Sequence, residues 1–166
     1  PGFSFIIARK QKLIESEGKA RSLSLDLYDQ WKTMNKDGKW RFTSPTHVVL
    51  AFSKALDEIL EEGGIAARSK RYSDNNRLLI QRMKEMGMET YIEDEHQGPI
   101  ITTFLYPKNH AFAFQEMYEY IKERGYAIYP GKVTEADTFR IGNIGEIYEE
   151  DIEKVCSIMK DFLEGR

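Results

Sequence analysis

Residues 38–60 read GKWRFTSPTHVVLAFSKALDEIL. Ser44 is a strong N-cap residue, and Pro45 suits the first helical position, where no intrahelical amide bond is lost. From there Val48, Val49, Phe52, Leu56, Ile59 and Leu60 recur at helical spacing until the Gly63-Gly64 pair. The spacing predicts a long helix over 44–62. Glu58, Glu61 and Glu62 crowd its C-terminal end against the macrodipole, so packing rather than local charge must hold that end. The turn before it, Arg41-Phe42-Thr43-Ser44, offers hydroxyls, backbone amides and the positive end of a helix, which is the chemistry that holds an anion. An ordinary capped core helix uses the same residues, and spacing alone leaves both readings open.

Upstream, Phe3 to Ala8 reads as a short buried strand, Arg9 to Glu17 as a basic helical piece, and Asp26 as the entry to a short helix ending before a turn at 35–38. Downstream of Gly63-Gly64 a second long helix is expected from Ile65 to Met86, with Ile65, Ala66, Tyr72, Leu78, Leu79, Met83 and Met86 on its apolar face. Two long helices joined by a glycine pair suit a boundary between domains, placed here at 62/63.

Beyond that helix the pattern changes to short strands and helices. Met88 to Ile92, Pro99 to Tyr106, Ala127 to Tyr129 and Thr138 to Ile141 read as strands, the second being the richest in β-branched and aromatic residues. Phe114 to Arg124 and a final segment from Tyr148 read as helices. The order is that of a small antiparallel sheet with helices on one face, an α+β layer.

Composition bounds the function. The 166 residues are 41% apolar and 31% charged with a net charge of −3, and the isoelectric point is about 5.7. There is no basic footprint for nucleic acid and no apolar run long enough for a membrane span. The single cysteine, Cys156, falls on the stripe Ile152, Val155, Met159, Phe162 and reads as a buried inert thiol, in keeping with a reducing, cytoplasmic setting. His47, His96 and His110 have no metal-ligand spacing. The chain opens on Pro1-Gly2 without an initiator methionine, and the expectation is a piece of a longer protein.

Arg140 is the sharpest candidate for binding. In Thr138-Phe139-Arg140-Ile141, strand alternation sets Phe139 and Ile141 on one face and Arg140 on the other. If the two apolar residues face the helices, the guanidinium fork points to the open side, where it suits a carboxylate or phosphonate, or stands as a solvated surface arginine. Gly142-Asn143-Ile144-Gly145 just after it permits close approach of another group.

Four segments carry a resemblance: RSLSLDLYDQW at 21–31, GKWRFTSPTH at 38–47, YPGKVT at 129–134 and FRIGNIG at 139–145. In that order they closely resemble the fold type I, class V pyridoxal-phosphate aminotransferases. Within them the likeness is to the branch that moves an amino group from 2-aminoethylphosphonate to pyruvate. The resemblance covers essentially the whole chain and implies the C-terminal end of a large α/β cofactor domain (1–62) followed by an α+β small domain (63–166). It also implies a homodimer. Thr43, in the Thr-Pro-Pro-like turn Thr43-Ser44-Pro45, would bind the cofactor phosphate of the neighbouring subunit, with serine replacing the family's first proline. Arg140 would bind the substrate's acid group. The lysine that binds the cofactor covalently would lie a few residues before Pro1, so no catalytic residue is expected within this chain, and its partner would be the N-terminal part of the same protein. A non-catalytic binding domain, or a class V relative for another amino acid, fits the same residues less fully.

Overall fold

The computed structural model describes residues 2–107, 112–131 and 136–165. His110 and Lys132 to Thr134 of the YPGKVT segment lie outside the described residues. The chain divides into two compact units, Pro1–Glu61 and Glu62–Arg166.

The first unit holds three helices: α1 (Lys10–Ile14), α2 (Leu27–Asp37) and α3 (Thr46–Glu61). Asp26 caps α2, its carboxylate accepting from the Asp29 amide at 3.0 Å. The helix runs through the expected turn to Asp37, and Gly38, at φ 76°, ends it in the left-handed conformation that glycine adopts without strain. Helix α3 begins at Thr46, so Pro45 precedes the first helical residue and Ser44 stands one position further out than expected.

Phe3 to Ala8 forms no strand. A strand is stabilised by pairing, and no other strand lies among the described residues of this unit to pair with it. No side chain described in this unit is fully buried. The apolar face expected of α3 is real in spacing but stays open, with Phe52, Leu56 and Leu60 exposed at 41%, 47% and 71%. Periodicity identifies such a face without revealing what covers it.

The second unit contains α4 (Gly64–Glu85), β1 (Ile101–Leu105), α5 (Phe114–Lys122), β2 (Tyr129–Pro130), β3 (Thr138–Gly142) and α6 (Glu149–Glu164). Among the described residues no helix is long and apolar enough to cross a membrane. The sheet is antiparallel with β3 in the middle, order β1-β3-β2, and Arg140 pairs with Thr103 on one side and Tyr129 on the other. Its core face carries Thr102, Phe104, Phe139 and Ile141, all buried, with the rings of Phe104 and Phe139 stacked at 5.7 Å. Leu79 and Met83 of α4, Met117 and Ile121 of α5, and Ile152, Val155, Cys156 and Met159 of α6 complete this core.

Three strand and helix expectations shift. Ile65 is exposed and lies outside the core. Met88 to Ile92 makes only a single bridge, Thr90 to Phe104, although the Tyr91 amide donates to Thr103 O and the Leu105 amide to Glu89 O along the edge of β1. The third strand is Tyr129–Pro130 rather than 127–129, and proline, lacking an amide, is tolerated there because β2 is an edge strand.

Candidate functional site

Arg140 stands where strand alternation puts it, on the open face of the central strand. Phe139 and Ile141 point into the core, and Arg140 itself is half-buried. One guanidinium nitrogen, Nη2, donates to Pro130 O at 3.3 Å, while Nε is shielded from solvent and has no partner among the described residues. The fork therefore keeps donor capacity for a planar acid group. The neighbouring edge is fixed by contact: a Cβ at Gly131 would collide with Thr138 side-chain and backbone atoms, and the Gly131 amide donates to Thr138 O at 2.8 Å. Only glycine lets the strand carrying Pro130 lie this close.

The turn behind Arg140 is held tightly. Asn143 is fully buried; its Nδ2 donates to Tyr72 O at 3.1 Å and Pro99 O at 3.0 Å. The Gly145 amide donates to Tyr72 Oη at 3.1 Å, and Asn75 Nδ2 donates to Ile147 O at 2.8 Å. Apart from Pro99, which precedes β1, these partners come from α4, whose buried asparagines an apolar-periodicity reading passes over. Polar residues on a face otherwise turned to the core were the available signal.

Thr43 lies in the first unit, exposed in the turn before α3, with Ser44 half-buried beside it. By helix geometry the first-turn amides of α3 have no i−4 partners, although that of Thr46 turns back to Ser44 O at 2.9 Å, and Thr43 adds a hydroxyl. Below the turn, Arg41 is tucked in with 9% of its side chain exposed, donating from Nη1 to Asp29 at 3.0 Å and lying 4.6 Å from the Phe42 ring centroid. A hydroxyl and a helix start at one turn fit a phosphate group, with the Arg41–Asp29 pair bracing the turn from behind. Thr43 and Arg140 thus belong to different units.

His47 is exposed in the first turn of α3. Glu93, which precedes the 3-10 turn Asp94–His96, and Glu95 and His96 on it bring their side-chain ligand atoms within 4.8 Å, all exposed, as a solvated acidic loop would be. Cys156 is buried in the core, and desolvation pushes its thiol up to about 12. At neutral pH it is a thiol and not a nucleophile.

The fold is shared with aminotransferases of known structure. An alanine–glyoxylate aminotransferase from Nostoc sp. superposes with a TM-score of 0.73 at 20% identity, over 90% of this chain and 41% of that one. The ureidoglycine–glyoxylate aminotransferase of Bacillus subtilis gives 0.70 at 18% identity, over 92% of this chain and 39% of that one. No protein-family profile matches the chain. The fold is accordingly that of the C-terminal part of a fold type I aminotransferase.

Sequence narrows the likeness further. The chain is 56% identical over 163 residues to the 2-aminoethylphosphonate–pyruvate transaminase of Lysinibacillus sphaericus, covering 98% of this chain and 44% of the relative. The same-named protein of Bacteroides fragilis is 54% identical over 162 residues, covering 97% and 44%. That of Bacillus cereus is 55% identical over 167 residues, covering 99% and 46%. The chain is a homologue of the 2-aminoethylphosphonate–pyruvate transaminases and spans less than half of their length.

Proposed function

We propose that this chain is the C-terminal part of a pyridoxal-phosphate transaminase that moves the amino group of 2-aminoethylphosphonate to pyruvate, giving phosphonoacetaldehyde and alanine. The observation that carries this reading is the identity of 54–56% with transaminases of that name along nearly all of the chain. In this reading residues 1–62 close a large cofactor domain and 63–166 form the small domain of a cytoplasmic homodimer. The N-terminal part of the same protein supplies the covalent anchor for the cofactor. The open apolar faces of the first unit support it, since α3 needs a partner that the described residues do not provide.

Pyridoxal phosphate, when bound, supplies the electron sink that lets an amino group be exchanged for a carbonyl oxygen. The chain's own contribution is to hold and orient. Thr43, with the first amides of α3, is the ligand for the cofactor phosphate, and Arg41, paired with Asp29 behind the turn, holds the loop in place. Arg140 binds the phosphonate of one substrate and the carboxylate of the other. The carboxylate is planar and the phosphonate tetrahedral, but each presents two acceptor oxygens that a guanidinium fork can address with paired donors. Anchoring the acid group at a rigid central strand leaves the reactive carbon of either substrate at a fixed reach.

The test is to join the upstream part of the protein, add pyridoxal phosphate, and look for a visible absorbance band that borohydride removes. Alanine should form when 2-aminoethylphosphonate and pyruvate are supplied. No band and no alanine would remove the transaminase reading.

A further inference from the structure

Residues 143–148 link β3 to α6 without helix or strand, yet α4 grips their backbone repeatedly. Arg71 is the centre of that grip. Its Nη1 donates to both Gly145 O and Ile147 O at 2.8 Å. Its Nε donates to Glu62 Oε1 at 2.7 Å and its Nη2 to Glu62 Oε2 at 3.3 Å. The guanidinium also lies 5.1 Å from the Tyr72 ring centroid and 4.9 Å from that of Tyr148. Its side chain is only 15% exposed. A lysine could not replace it, because an ammonium cannot present this planar set of donors to a carboxylate and two carbonyls at once. Glu62 is shared with Arg68, whose Nε donates to it at 2.6 Å. Bonds to Arg71 and Arg68 hold the Glu62 carboxyl down at about 2, so the anchor stays ionised at any working pH.

Arg140 has little of its own to fix its aim. Among the described residues its one hydrogen bond is the 3.3 Å contact to Pro130 O, so the direction of the fork depends on where β3 ends. That end, Gly142, lies two residues beyond Arg140 and opens directly into the segment that Arg71 holds. We propose that Arg71, anchored by Glu62, is a positioning residue for Arg140: it fixes the 143–147 turn and thereby the place of the guanidinium that grips the substrate's acid group. The inference rests on the reading of Arg140 as the substrate-binding arginine.

The experiment uses the full-length protein loaded with pyridoxal phosphate, comparing wild type, Arg71→Lys, Glu62→Gln, Arg140→Ala and Arg71→Lys combined with Arg140→Ala. The expected result is a rise of about tenfold in the KM for 2-aminoethylphosphonate in Arg71→Lys, with kcat and the cofactor absorbance nearly unchanged. Calorimetric binding of ethylphosphonate, which lacks the amino group, should weaken in parallel. In the Arg140→Ala background the same replacement should add less than about twofold, because the two residues act through one contact. An unchanged KM in Arg71→Lys and Glu62→Gln, alongside a large effect of Arg140→Ala, overturns the positioning role alone. So does an equal loss in both backgrounds, which marks a purely structural arginine. A wild-type KM in Arg140→Ala overturns the substrate-binding reading itself. If Arg71→Lys does not fold, Glu62→Gln carries the same comparison, since it loosens the anchor and leaves the two carbonyl bonds in place.

Discussion

Arg140 and Arg71 illustrate two kinds of residue that a sequence shows unequally well. The face on which Arg140 stands was legible because the two-residue period of a strand fixes which side chains share a face, and Phe139 and Ile141 are buried opposite it. Arg71 was not, because its role depends on carbonyl groups 74 and 76 residues away, which no local pattern encodes. Thr43→Ala in the full-length protein is expected to loosen the cofactor, read as a higher pyridoxal phosphate concentration for half-saturation; unchanged affinity would remove Thr43 as a phosphate ligand. Cys156 gives a second residue-scale prediction. With its thiol held at about 12 by burial, it should resist a maleimide at pH 7–8 in the native protein and react at once after denaturation. Rapid labelling of native protein would show that the α6 core is looser than the structure has it.

At the scale of elements, the strands were read by β-branched and aromatic content and the helices by their apolar period. Both succeeded where an element packs within its own unit, as β1, β3, α5 and α6 do. They misled where pairing is missing or short among the described residues: Phe3 to Ala8 pairs with no described strand, and the 88–92 segment meets β1 at one bridge. The start of α4 carries its own test. Glu62 has a folded value of about 2 against an ordinary 4.5, so it stabilises the fold above pH 4.5, and that contribution is lost as pH falls through 4.5 toward 2. Acid titration of thermal stability should therefore fall less steeply in this window in Glu62→Gln than in the wild type, the variant being already less stable at pH 7. Parallel curves would mean that the Glu62–Arg71–Arg68 cluster is not ionically coupled in solution.

For the molecule as a whole, the second unit has a closed core of its own and the first does not. Among the described residues fifteen apolar side chains form the buried core, all of them between Leu79 and Phe162, while Phe5, Ile7, Leu23, Leu25 and Leu50 of the first unit stay open to solvent. That asymmetry is what a chain corresponding to under half of its relatives' length would show if its first unit were the edge of a larger domain. The measurement that bears most directly on this account is alanine production from 2-aminoethylphosphonate and pyruvate by the full-length protein, with and without Arg140→Ala. The account predicts steady turnover in the wild type and a loss of about 2–5 kcal/mol in kcat/KM in the variant, from removing a charged hydrogen-bonded grip. No alanine from the wild type, or equal kcat/KM in the two proteins, would contradict it.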